Sequence, residues 1–290
     1  MTANSANVGR ASARHVGLKP DLQSSKGFTL VEMIVVIVIT GIIGGIVASF
    51  IGAPVQGYID SARRAELTDI ADTAMRRMAR DVRIAVPNSV RVPDALTVEF
   101  IPTKDGGRYR AGSGGTGNVL DFGVSDGSFE IIGSGIAFTQ NVDYIVVGST
   151  QSDAVPPYDQ TANGVLRLYT GATGTLTVVN FTNTALPIWA ELPSQRFDVV
   201  DGAQQAVTYR CENVGIVNGT GSGQLVRYWN YGFTHMVGAT SAILADKVSD
   251  CVITYDLPNQ RFGLLTVRMS LTSENESVSL YNEIHVNNVP

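Results

Sequence analysis

Glu32 is the only ionisable residue in the 23 positions from Phe28 to Phe50, a run that reads FTLVEMIVVIVITGIIGGIVASF. In a bilayer, an acidic side chain at the centre of a span costs about 2.5–3.5 kcal/mol, and less near the membrane face. A carboxylate kept inside such a run is a functional candidate by default, through a cation that shares its charge. A carboxyl that stays protonated or points into the headgroups is the other reading, and both stay open on the residues alone. The second pair that could do chemistry is Cys211 and Cys251, the only cysteines in the chain. An oxidising compartment favours a disulfide between them over two free thiols. Closing a loop of about 41 residues would stabilise the fold by roughly 4 kcal/mol in the chain-entropy picture. There is no C-x-x-C pair, which argues against redox catalysis.

Other arrangements are weaker. Gly112-Ser113-Gly114-Gly115-Thr116-Gly117 matches G-x-G-x-x-G, but no strand–helix unit surrounds it, so it reads as a loop. Gly123-Val124-Ser125-Asp126-Gly127 matches G-x-S-x-G between short β segments, with only His15, His235 and His285 available as bases. No acid–base pair, metal-ligand spacing or cofactor motif emerges. The expectation is a protein that acts by binding rather than turnover, with no catalytic residue, metal or cofactor.

The apolar run must be held by a helix. At 1.5 Å per residue its 23 residues cover about 34 Å, enough for a hydrocarbon core of about 30 Å. A signal peptide has a shorter apolar core, although Ala48, Gly52 and Ala53 could supply a cleavage site. Length alone leaves a plain anchor and a specialised segment equally open. Ahead of the run, Arg10, Arg14, Lys19 and Lys26 against Asp21 give a local charge of +3, which holds that end in the cytoplasm. The expected topology is therefore a single pass with residues 87–290 exported.

Pro54 follows the span, yet helical patterning resumes at once: Leu67, Ala71, Met75, Met78, Val82 and Ala85 form one apolar face. Asp72 and Arg76 stand i, i+4 on the other side. One helix from Phe28 to about Val86 is expected, an apolar half over 28–54 and an amphipathic half over 55–86, ended by Pro87-Asn88-Ser89. Beyond it the period falls to two. Strands are expected over 96–100, 164–169, 225–229, 251–255, 263–269 and 283–286. Glycine- and asparagine-rich loops separate them at 105–118, 133–135, 148–153, 171–174 and 215–223. Thr240–Val248 is the best candidate for a further helix. The fold class is α+β: a long N-terminal helix packed on an antiparallel β-sheet domain.

The chain has 290 residues, 16% charged and 44% apolar, with a net charge of −5. This excludes disorder and makes nucleic-acid binding unlikely. The lower helix is nonetheless basic, with Arg63, Arg64, Arg76, Arg77, Arg80 and Arg83. A solvated face that meets acidic surface on neighbouring molecules is the favoured reading, over DNA or anionic lipid.

Lys26-Gly27-Phe28-Thr29-Leu30-Val31-Glu32, opening an apolar helix, resembles the processing signal of type IV prepilins and pseudopilins. The resemblance implies that a prepilin peptidase cuts between Gly27 and Phe28 and N-methylates Phe28. Residues 1–27 are then a leader, longer than usual in the family, and the apolar helix stays on the mature chain. It further implies that Glu32 pairs with the Phe28 amine of a neighbour and sets subunit register. Gly223-Gln224-Leu225-Val226-Arg227-Tyr228, Cys251-Val252-Ile253-Thr254-Tyr255-Asp256 and the ending His285-Val286-Asn287-Asn288-Val289-Pro290 look like the MshO-type minor pilins of mannose-sensitive haemagglutinin (MSHA) pili. They also fit J-type pseudopilins of type II secretion. The implied partners are prepilin peptidase, other minor pilins, the major pilin and an inner-membrane assembly platform in a Gram-negative cell. The implied role is assembly or initiation near the pilus tip, with tip adhesion as the alternative.

Overall fold

The computed structural model describes residues 27–289, apart from 113–116, 150–156, 162, 235, 237 and 260–261. The chain divides at Gln56/Gly57 into two compact units. Helix α1 covers Leu30–Arg83 and runs through Pro54 without a break in its assignment. Among the described residues, seventeen strands follow. The first nine are β1 (Arg91–Asp94), β2 (Thr97–Phe100), β3 (Thr103–Arg108), β4 (Ser128–Glu130), β5 (Ile136–Phe138), β6 (Tyr144–Val147), β7 (Leu166–Leu168), β8 (Gly174–Leu176) and β9 (Val178–Asn180). The rest are β10 (Arg196–Val200), β11 (Val207–Glu212), β12 (Ile216–Val217), β13 (Thr220–Gly221), β14 (Gly223–Trp229), β15 (Thr240–Asn259), β16 (Phe262–Ser273) and β17 (Glu276–Asn287). The fold is α+β and pilin-like.

In the first unit, the described apolar residues from Leu30 to Ile51 are exposed, since none of the described residues covers them. In the second, the expected face is the buried one. Leu67, Ala71, Met75, Met78 and Val82 pack on an antiparallel seven-stranded sheet ordered β1-β2-β11-β14-β15-β16-β17. Ala74 and Ala79 widen the stripe, since helices that bury a sheet-facing side need more than one row of apolar residues. A second sheet, β3-β10-β6-β7, and the pairs β4-β9 and β5-β8 enclose a separate aromatic core around Phe129, Phe197 and Tyr169. A third cluster includes Ile101, Val146 and Val200.

Five residues past the end of α1, in the turn that leads to β1, Asn88 takes φ +62, a left-handed value that asparagine tolerates better than most residues. Before that turn, Val86 N–H donates to Ile101 (2.8 Å), and Thr103 N–H donates to Ile84 (2.7 Å). The far end of the chain closes over the same place. Asn88 N–H donates to Asn288 Oδ1 (3.2 Å), and Asn288 Nδ2 donates to the Tyr255 hydroxyl (3.0 Å).

Three expectations need correction. Thr240–Val248 is not a helix but the first part of β15, paired with β14 from Trp229↔Thr240 to Gly223↔Val248. Its alanine, leucine and lysine content suits a helix, but two register shifts against β14 place Ala245 and Val248 in the core, and tertiary pairing overrides local preference. Residues 105–108 belong to β3, where Gly106 and Gly107 lie against β10. There the Gly107 position faces the Phe197 ring at 3.0 Å, so a side chain would displace it. The 215–223 segment is not a loop. It forms the β12–β13 hairpin, whose tip is held when Asn275 N–H donates to Gly219 (2.8 Å).

Candidate functional site

The N-terminal constellation is built by a helix start. Gly27, Phe28 and Thr29 lie outside α1, and the Gly27–Phe28 bond is exposed and non-helical, the form in which a peptide can enter a protease. Phe28 is 77% exposed. A Cβ at Gly27 would meet no atom within 4 Å, so nothing in the chain's own packing requires glycine there. Any requirement for a bare α-carbon must come from outside the chain.

Thr29 is the residue that sequence reasoning missed. Its Oγ1 accepts the Glu32 backbone N–H (3.2 Å), while its carbonyl accepts Met33 N–H (3.2 Å). Thr29 therefore caps the helix, and Glu32 stands at the third helical position, the spacing of a capping box. A threonine three residues ahead of a glutamate, just before an apolar run, is the signal that was available. A carboxylate in the first turn also opposes the positive end of the helix dipole. Among the described residues, the Glu32 side chain has no ion-pair partner. Gly27, Phe28 and Glu32 thus fall within one short segment, as expected, with the carboxylate free to meet a cation from another molecule.

The cysteines are joined. Cys211 in β11 and Cys251 in β15 form a disulfide with a Cα–Cα distance of 6.4 Å, both buried against the inner helix face. Cys251 lies three residues past Val248, where the β14–β15 ladder has ended. The bridge ties β11 to β15 across that gap. Ile253 N–H donates to Ala95 (2.7 Å) and Cys211 N–H to Leu96 (2.9 Å), so the β1–β2 turn sits at the same seam.

A second buried constellation was not foreseen. On the helix, Asp81 accepts from Tyr209 Oη (2.7 Å) and Arg227 Nε (3.1 Å), and Arg227 Nη2 donates to Gln204 (2.7 Å). Burial first, and the Asp81 carboxylate next, push the Tyr209 phenol well up. The group is fully partnered and locks helix to sheet. In the G-x-S-x-G segment, Asp126 accepts from the N–H of Asp121 (2.9 Å) and Ser128 (3.2 Å), forming a turn ahead of β4 rather than a strand–turn–helix elbow. Residues 113–116 of the G-x-G-x-x-G match lie outside the described residues, as does His235. At Gly117, a side chain would collide with the paired Arg110 and Glu130.

The prokaryotic N-terminal methylation motif matches residues 22–48. Comparisons with curated proteins and with solved structures each return no match. The motif and the apolar helix that carries it support membrane anchoring, processing by a prepilin peptidase and assembly with other pilins. Together they support a type IV pilin-like protein.

Proposed function

We propose that the chain is a minor pilin, or pseudopilin, that takes part in assembly or initiation of an MSHA-type pilus at or near its tip. The observation that carries this is one helix start: an exposed Gly27–Phe28 bond, a Thr29 cap and an unpartnered Glu32, all opening a run of exposed apolar side chains. Prepilin peptidase cuts after Gly27, and the new Phe28 amine keeps its charge after one methylation. Glu32 of an incoming subunit pairs with that amine on a neighbour. The pair offsets the cost of a carboxylate in lipid and fixes axial register.

The +3 leader stays cytoplasmic, the helix spans the inner membrane once, and the β domain is periplasmic before joining the pilus. Removing the leader from a chain of −5 leaves −8 on 263 residues, a bulky subunit that suits a tip better than a repeated lattice. The protein acts by binding and is not an enzyme. A J-type pseudopilin would share the processing chemistry; deletion would then stop enzyme secretion rather than remove surface pili. The β12–β13 hairpin, with Ile216 61% and Val217 59% exposed, favours tip adhesion as a second reading. Its deletion would abolish attachment while sparing piliation.

The test of the main reading is the N-terminal sequence and intact mass of the protein from its own membranes, with and without prepilin peptidase. A methylated Phe28 terminus that needs the peptidase is expected. An intact leader, or a cut after Ala48 or Ala53, would reduce the segment to an anchor or signal peptide.

A further inference from the structure

We propose that the open edge of β17, beside Arg76, Arg80 and Arg83 of α1, receives an extended acidic segment of a partner subunit as an added strand. β17 is twelve residues long and pairs with β16 without a register shift from Ser273↔Glu276 to Phe262↔Asn287. Its other edge meets no strand among the described residues. Such an edge is a template for another chain, and proteins usually blunt it with proline, lysine or a bulge. Residues 276–287 contain neither proline nor lysine, and no bulge interrupts them.

The partner's chemistry follows from the neighbouring helix. A groove of about 630 Å³ lies between α1 and β17, lined by Met75, Arg76, Arg80, Arg83, Leu280 and Asn282 among others. The arginines are spaced four and three apart, one helix face. Among the described residues only Arg76 has an ion pair there, with Asp72 (2.6 Å), so three guanidinium groups line the groove beside one carboxylate. Along β17, Val278, Leu280, Asn282 and Ile284 are the more buried positions and alternate with exposed ones. An added strand in the same pleat presents every second side chain to the arginine row. The fitting segment therefore carries carboxylates at i and i+2. That its source is another subunit rests on the pilin-like reading; the site itself does not.

The test uses the full chain in detergent micelles at low salt, with a labelled decapeptide alternating threonine and glutamate. Saturable binding is expected, with none for the threonine–lysine peptide. The double variant R80E/R83E should weaken it at least tenfold, and so should backbone N-methylation in one of the two alternating phases, which removes ladder donors. A circular-dichroism spectrum and urea midpoint equal to the wild type's check that the variant is folded. Equal binding by both N-methylated peptides, or no binding by the parent, overturns the proposal. So does a double-stranded DNA dodecamer that binds more tightly than the peptide through the same arginines. Mass analysis of Gly27–Phe28 processing on the same preparation tests the pilin-like reading separately.

Discussion

From Leu30 to Ile51 the apolar side chains are exposed, whereas between Leu67 and Val286 those of the second unit fill three cores. The first unit has few internal reasons for its composition. Four glycines of its helix, at 41, 44, 45 and 52, touch nothing that would exclude a side chain, although each costs about 1 kcal/mol of helix preference. The second unit is the reverse: Gly164, Gly202 and Gly221 are there because the backbone of Asp159, Val142 and Lys247 leaves no room for a side chain. One region is shaped by what it will meet outside the chain, the other by itself. Variants in the two regions should therefore fail in different assays.

The largest effect on stability should come from breaking the disulfide. Replacing Cys211 and Cys251 by serine is expected to cost about 3–4 kcal/mol in urea unfolding, with Gly27–Phe28 processing unchanged. If processing were lost too, the two regions would not be separable. Next is D81A, which strands the Arg227 guanidinium, only 8% exposed, beside Tyr209. Discounted for the partial exposure of Asp81, the cost should be about 2–3 kcal/mol. A D81N variant, which keeps an acceptor, should lose less; equal losses would show that the charge alone carries the lock and the acceptor adds nothing.

A smaller effect is titratable. Burial pushes the Asp198 carboxyl up to about 6, against the pull of Arg196. The folded chain then binds more protons than the unfolded one between about pH 4 and 6. This contribution is present at acid pH and lost as pH rises through about 6. The unfolding free energy of the wild type, from urea titration, should fall relative to D198N between pH 4.5 and 7.5, by on the order of 1 kcal/mol after solvent screening. A parallel response of the two proteins would refute it. The smallest effect is T29A, about 1 kcal/mol confined to the first turn of α1. Amide exchange at Glu32 and Met33 should quicken while the β domain is unmoved.

Much of this was legible from periodicity. The Leu67–Val82 stripe, the passage through Pro54 and the strands around 225–229, 251–255 and 263–269 all carry strong local patterns, and the paired cysteines follow from compartment chemistry. What stayed hidden was decided elsewhere in the chain. Strands of three residues such as β4, β5 and β8 have no periodicity of their own and exist because a partner pairs with them. Thr240–Val248 took its state from β14. The Asp81–Arg227 lock joins residues 146 apart, which no local window can see. At the N-terminal site, Gly27, Phe28 and Glu32 were readable because they stand within six residues, inside a linear motif. Thr29 left a signal of the same kind, the Thr-x-x-Glu spacing of a capping box, but a short polar pair beside a long apolar run is easily passed over.

The clasp between Asn88 and Asn288 sets an order in time. It joins residues 200 apart, so the turn that follows α1 is closed by a residue made long after it. Long-range closures of this kind are slow, because the whole intervening chain must first be brought into place. Synthesis runs from the N-terminus, and in the proposed topology residue 288 crosses the membrane well after residue 88. A subunit stalled or truncated before residue 288 keeps that turn unclasped, so closing the junction reports that the intervening chain has been delivered.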